Sequence, residues 1–161
     1  MEKKDHIISI LVYNKPDVLA RIAGTLGGKG YNIDSLCVNT TTQNDISKIV
    51  MTTIGSQATI NRIVNELQKL VDVISTDDLT NVESIHREMM LVRVNLTDTN
   101  TEEIRKTIDA NRWKVIVAGD TFAVVEITGD KTQIDFALAR LEPLGVTDVT
   151  RTGLVALKLD D

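Results

Sequence analysis

Tyr13-Asn14-Lys15-Pro16-Asp17-Val18-Leu19-Ala20-Arg21-Ile22 joins two kinds of periodicity. Before it stands the apolar run Ile7 to Val12, broken only at Ser9. After it, Val18, Leu19, Ile22, Ala23 and Leu26 fall at helical spacing. The chain is therefore expected to leave a buried strand, turn at Asn14-Lys15-Pro16, and enter a helix running from about Asp17 to Lys29. Asp17 is placed to cap that helix, because a carboxylate accepts from the free N–H groups of a first turn. Uncapped N–H groups at such a turn form a site for an anion, including the carboxylate of a free amino acid. On this reading the turn recognises a small regulatory molecule and the rest of the chain reports it.

Working outward, Gly27, Gly28 and Gly30 mark the end of the first helix. A second strand is expected over Tyr31 to Val38, a polar loop over Thr40 to Asp45, and a third strand over Ile46 to Ile54. Ser56 caps a second helix with Ile60, Ile63, Val64, Leu67 and Leu70 on one face. A fourth strand from Val71 to Ser75 closes the unit near Leu79.

The second half repeats this order with weak residue identity. Met89 to Leu96 is its first strand, and Thr99 with Glu102 fits a capping box before a helix carrying Ile104 and Ile108. Val115 to Val117 and Phe122 to Ile127 read as a strand pair. Asp130 caps a last helix, ended by Pro143 and Gly145, and Val146 to Arg151 is the last strand of the repeat.

The fold class is α+β, with two tandem ferredoxin-like β-α-β-β-α-β domains over residues 1–79 and 80–161. The polar segment Thr80 to Glu88 is the expected linker. Each unit has helices on one sheet face, so the other face needs a cover. The two-sided apolarity of the first strand points to another domain or subunit there. The apolar tail Leu154 to Leu159 also needs a docking surface.

A chain of 161 residues can hold a real core, and 42% hydrophobic with 25% charged residues fits a soluble globular protein. No apolar run approaches the roughly 20 residues of a membrane helix. Met1-Glu2-Lys3-Lys4-Asp5 lacks a signal-peptide core, and a single cysteine, Cys37, fits a reducing compartment. A cytoplasmic location is therefore expected.

The formal net charge of -5 argues against non-specific nucleic-acid binding. At 3% aromatic residues the sheet also lacks the stacking platform of RNA-binding modules. The run Gly24 to Gly30 fails as a phosphate loop: Ala23 stands where a glycine is needed and Gly30 where a Ser or Thr is needed. Cys37, His6 and His86 do not pair at metal-ligand spacing, so no metal site is expected. No acid–base or nucleophile constellation emerges, and no cofactor is expected in this chain. From the residues alone the chain is a two-module binding protein.

Four pieces of wording go further. Asn14 to Ile22, followed by Lys29-Gly30-Tyr31-Asn32-Ile33-Asp34-Ser35-Leu36, resembles an ACT domain, in particular that of the small regulatory subunits of acetohydroxyacid synthase (acetolactate synthase). Gln68 to Val73 and Arg87-Glu88-Met89-Met90-Leu91-Val92-Arg93-Val94 are similar to the same family across the domain junction.

The resemblance implies a non-catalytic subunit that binds a large catalytic subunit using thiamine diphosphate, FAD and magnesium. It implies activation of that partner and feedback inhibition by valine or another branched-chain amino acid. It implies a homodimer through the first domain, with the effector at the interface. Asn14 and the backbone of Asp17, Val18 and Leu19 would hold the effector carboxylate. Asn32 and Ile33 of the facing subunit would hold its ammonium group and side chain. The second domain, residues 80–161, would serve activation.

The family usually has glycine where this chain has Asp17. That carboxylate either opposes the ligand carboxylate or pairs with the ammonium. A free-standing amino-acid sensor without a catalytic partner is the second reading, and the segment Arg87 to Val94 favours the first.

Overall fold

The structure, a computed structural model, describes residues 4–159. Strand β1 (Lys4–Tyr13), helix α1 (Val18–Gly28), strands β2 (Ser35–Thr40) and β3 (Ile46–Gly55), helix α2 (Gln57–Leu67) and strand β4 (Val73–Asp78) form the first β-α-β-β-α-β run. The second comprises β5 (Ser84–Asn95), α3 (Thr101–Asn111), β6 (Lys114–Ala118), β7 (Phe122–Gly129), α4 (Lys131–Leu141), a single 3-10 turn over Glu142–Leu144, and β8 (Val146–Arg151). A short strand, β9 (Val155–Lys158), follows. The sheets run β2-β3-β1-β4 and β6-β7-β5-β8, with β9 paired to β5. This is the expected tandem ferredoxin-like α+β fold. No helix among the described residues is long and apolar enough to cross a membrane.

Alternation along the strands builds each core. Ile8, Ile10 and Val12 of β1 and Ile49 and Met51 of β3 point to one face. Val18, Ile22 and Leu26 of α1 and Ile60, Ile63 and Leu67 of α2 pack on that face at helical spacing. Each such side chain contributes about 1.5–3 kcal/mol by leaving water. Met90, Val92, Val94, Val125 and Ile127, under Ile104, Ile108, Ile134, Ala137 and Leu141, repeat the plan in the second unit. Ser56 caps α2 by accepting from the Thr59 N–H, and Asp130 with Gln133 forms a full capping box on α4.

Four local readings differ in the structure. Tyr31 to Asp34 is loop, and β2 begins at Ser35. The Tyr31 N–H closes α1 by donating to the Leu26 carbonyl at 3.0 Å, so it is unavailable to a ladder. The expected Thr99–Glu102 capping box is absent. Asn100 holds the helix-cap position of α3, and its Oδ1 accepts from the Thr97 N–H at 2.7 Å instead. Asp17 flanks α1 without capping it through its side chain. Finally, the linker expected over Thr80 to Glu88, short and partly ordered, overlaps a strand, because β5 already starts at Ser84.

The chain separates into two compact units, one reaching Ile85 and the other spanning His86 to Thr152. The segment from Gly153 onward belongs with the first unit. It answers the question of the uncovered face. Ala156 packs with Val50, Leu79, Ile7 and Val82 on the side of the first sheet away from its helices. Gly153 lies flat on β2: a Cβ there would come within 3.3 Å of the Leu36 carbonyl oxygen, and its φ of +77° is the left-handed region that favours glycine. The cover is thus the chain's own tail, where another domain or subunit was expected.

Candidate functional site

The β1–α1 turn is held from two sides. Tyr13 N–H donates to the Asp72 carbonyl at 2.9 Å, and Asn14 N–H donates to the Asp45 carbonyl at 2.7 Å. The Asn14 side chain also donates to the Asn44 carbonyl at 2.9 Å. Within the first turn of α1, Val18 N–H reaches Lys15 O and Arg21 N–H reaches Asp17 O. The N–H groups of Leu19 and Ala20 have no acceptor among the described residues. They are the free donors an anion needs, at the positive end of the helix.

Four charges frame this turn. The Asp72 carboxylate, with only 7% of its side chain exposed, accepts from Lys15 Nζ at 2.6 Å and from Arg21 at 2.8 Å. Arg21 also pairs with Asp17, one turn before it. That hydrogen bond holds the Asp17 carboxyl below its usual range. Asp17 is thus drawn along the helix by Arg21, which is why it does not cap. Asp72 was not foreseen as a site residue. The available signal was a lone carboxylate between two valines, Val71-Asp72-Val73, in a strand-forming segment.

The anticipated effector residues fall into two places. Asn14 and Leu19 border a dimple of about 50 Å³ with Tyr13, Lys15, Val38 and Ser47. That volume is far below the roughly 300 Å³ at which ligand pockets begin, so the dimple cannot enclose an amino acid by itself. Val18 is buried in the core, so only its backbone can serve a ligand, whereas Leu19 is exposed. Asn32 lines a separate cleft of about 470 Å³ with Gly30, Tyr31, Thr53, Ile54 and Thr59. Its side chain donates to Asp34 at 3.1 Å, and its carbonyl accepts from Thr53 Oγ1 at 2.6 Å. Ile33 is half-buried against the first core.

Asn14 is tied to one end of β3, at Asp45, and Asn32 to the other, at Thr53. Eight residues of strand at about 3.3 Å each separate the anchors by roughly 26 Å. No amino acid bridges that within one chain.

The matching turn of the second unit is closed. Asn100 Nδ2 donates to the carbonyls of Asn95 and Leu144, both at 3.0 Å, and Glu102 and Glu103 occupy the first turn of α3. Two carboxylates at a helix N-terminus repel a third. Of the two turns, the first alone is open to a carboxylate ligand. Among the described residues no group of His, Cys, Asp and Glu side chains is placed to hold a metal ion.

Comparison with known proteins places both units. Residues 8–75 match the family described as an AHAS small subunit-like ACT domain, and residues 87–160 match the small subunit of acetolactate synthase. The acetolactate synthase small subunit of Aquifex aeolicus is 36% identical over 157 residues, covering 96% of this chain and 81% of the relative. The probable acetolactate synthase small subunit of Archaeoglobus fulgidus is 33% identical, covering 94% of this chain and 95% of the relative. The crystal structure of the acetolactate synthase small subunit from Thermotoga maritima superposes with a TM-score of 0.87 at 28% identity, covering 98% of this chain and 99% of that one.

Proposed function

The chain belongs to the family of acetolactate synthase small subunits, and from that premise we propose that it is a non-catalytic regulatory subunit working in branched-chain amino acid biosynthesis. It binds a catalytic acetolactate synthase subunit, raises its activity, and transmits feedback inhibition by valine or a related branched-chain amino acid. Thiamine diphosphate, FAD and magnesium belong to that partner. Residues up to Leu79 carry effector binding and dimerisation, and the second unit serves activation.

The observation that carries this reading is the layout of β2. It is the outermost strand of the first sheet. Its Thr40 end pairs with Ser47, beside Asn14, and its Ser35 end pairs with Thr52, beside Asn32. A twofold axis through β2 pairs it antiparallel with β2 of a second copy, so the Thr40 end of one meets the Ser35 end of the other. Asn14 and the free Leu19 and Ala20 N–H groups of one chain then face Asn32 and Ile33 of its partner. A valine carboxylate suits the helix donors, its ammonium suits amide carbonyl oxygens, and its isopropyl group suits an aliphatic wall. The roughly 26 Å between the two anchors within a chain becomes a short gap between chains.

Mixed dimers test the arrangement. Asn14→Ala and Asn32→Ala homodimers are each expected to lose valine binding by calorimetry. Mixing them regenerates one intact site per heterodimer, so up to about a quarter of the total sites should return. No recovery on mixing, with exchange verified, would overturn the shared site. Activation of an acetolactate synthase catalytic subunit in reconstitution, with no turnover of pyruvate by this chain alone, tests the regulatory role.

A further inference from the structure

The repeat places a cleft at the same point of each unit, and the two are lined differently. In the first unit, α1 is closed by Gly30 N–H to Gly27 O at 3.0 Å and Tyr31 N–H to Leu26 O at 3.0 Å. In the second, α3 is closed by Arg112 N–H to Asp109 O and Trp113 N–H to Ile108 O, both at 3.1 Å. Arg112 therefore stands where Gly30 stands, Trp113 where Tyr31 stands, and Lys114 where Asn32 stands. Gly55-Ser56 before α2 and Gly129-Asp130 before α4 complete the correspondence.

The second cleft measures about 590 Å³, within the range of small-molecule sites. Arg112, Trp113, Lys114, Thr128, Thr132 and Phe136 line it. Arg112 is, among the described residues, the one non-glycine with positive φ, at 55°. A left-handed residue other than glycine is held against a conformational cost. Gly30 makes the matching turn of the first unit without that cost, whereas the second unit carries an arginine side chain there. Among the described residues its guanidinium has no ion-pair partner.

Lys114 reaches Glu126, the one carboxylate lining the cleft, at a long 3.8 Å. Phe136 is 49% exposed despite its size, and Arg140 sits 5.5 Å above its ring. An unpaired cation thus lies beside the exposed Phe136 and the half-buried Trp113, which packs on the second core with part of its surface lining the cleft, and Lys114 and Arg140 add positive charge at either edge.

We propose that this cleft of the second unit binds a small aromatic anion, its ring against Trp113 and Phe136 and its carboxylate or phosphate on the Arg112 guanidinium. Arginine holds either group through a planar fork, and the aromatic walls add stacking. The site is separate from the one at Asn14 and Asn32 and does not depend on it.

Trp113 is the single tryptophan of the chain, so its fluorescence reports the site directly. The full chain is titrated with phenyl phosphate and with benzoate, against inorganic phosphate and phenol. At least one aromatic anion is expected to give a saturable change, and inorganic phosphate and phenol to bind tenfold more weakly or less. The stronger of the two aromatic anions identifies the charged group the site prefers.

Arg112→Gly keeps the left-handed turn, so its melting temperature should equal or exceed that of the parent while anion binding falls at least tenfold. Phe136→Ala, at an exposed position, should weaken the aromatic anions and leave inorganic phosphate unchanged. No saturable change with either aromatic anion, equal binding of phenol, or unaltered affinity in Arg112→Gly would each overturn the proposal.

Discussion

The buried carboxylate of Asp72 meets the guanidinium of Arg21 at 2.8 Å, across 51 positions of sequence. Together with the 2.6 Å contact to Lys15, this fixes the mouth of α1 to the loop before β4. Asp72→Ala removes the shared acceptor and leaves two cations facing each other at the turn. Both are about half exposed, so the loss should fall short of a fully buried pair, at about 1–3 kcal/mol. Urea unfolding measures it. A change below about 0.5 kcal/mol would show that the turn is held by its backbone bonds alone.

The pairing of Asp17 with Arg21 bears on effector binding. While Arg21 holds that carboxylate, its charge is compensated beside the free N–H groups of Leu19 and Ala20. Asp17→Gly is expected to change valine affinity by less than about threefold. Arg21→Ala releases the carboxylate at the helix mouth and should weaken binding by about tenfold. Asp17→Gly combined with Arg21→Ala should recover most of the loss. Calorimetric titration of all four proteins checks this, and a double variant as weak as Arg21→Ala would remove Asp17 from the account.

Acid stability follows from Asp78. Burial pushes its carboxyl up, but hydrogen bonds from Thr80 and Gln57 outweigh that, and the net position is below the usual value of 3.8. A carboxyl depressed in the folded state adds stability above its unfolded value, and this is lost as pH falls through the folded value. Asp78 should therefore contribute fully above about pH 5 and lose its contribution below about pH 4. Thr80→Val removes one donor, so it should lower stability at pH 7 and flatten the acid slope. Denaturant unfolding from pH 7 to acid measures both, and an unchanged slope in Thr80→Val would exclude this hydrogen bond as the cause.

Much of this was legible in the chain itself. Ile8, Ile10 and Val12 alternate toward the core, and Val18, Ile22 and Leu26 follow at helical spacing, so the order of elements could be read directly. What escaped was set by competition or by distance. Asp17 looks like a cap by position, but Arg21 one turn on is a stronger partner than a backbone N–H. Tyr31 to Asp34 alternates like a strand, but its first N–H is spent closing α1. Asp72 joins residues more than 50 positions away, and its partners Lys15 and Arg21 look like ordinary surface charges in sequence. The destination of the tail is a tertiary fact: the apolarity of Leu154 and Ala156 shows that they are buried, and nothing local says against what.

The tail also bears on truncation. Leu154 and Ala156 are buried, and Ala156 lies with Val50, Ile7 and Leu79. A fragment ending at Leu79 uncovers that face, so it should be less stable than the same unit in the full chain even where it still dimerises. Ala156→Asp places a charge on the face without shortening the chain and should cost about 2 kcal/mol or more. Chemical unfolding reads both. Equal stability of full-length Ala156→Asp and the parent would mean that the tail is not seated in solution.

The outer edge of β2 gives the sharpest test of assembly. Thr41 N–H donates to Ile46 O at 2.9 Å, and β2 pairs with β3 residue by residue from Ser35 to Thr40. In an antiparallel ladder the bonding residues alternate, so Cys37 and Asn39 bond inward to β3 while Leu36, Val38 and Thr40 direct their N–H groups outward. Val38 is 41% exposed, so replacing it opens no hole in the core. Val38→Pro removes an outward donor and leaves the inward ladder intact, a change tolerated at the edge of a sheet. The substituted chain should keep its fold by circular dichroism, sediment as a monomer while the parent is expected to sediment as a dimer, and lose valine binding, because in the proposed arrangement each site takes Asn14 from one chain and Asn32 from the other. A well-folded Val38→Pro dimer that still binds valine would show that β2 is not the contact and that the two asparagines are brought together some other way.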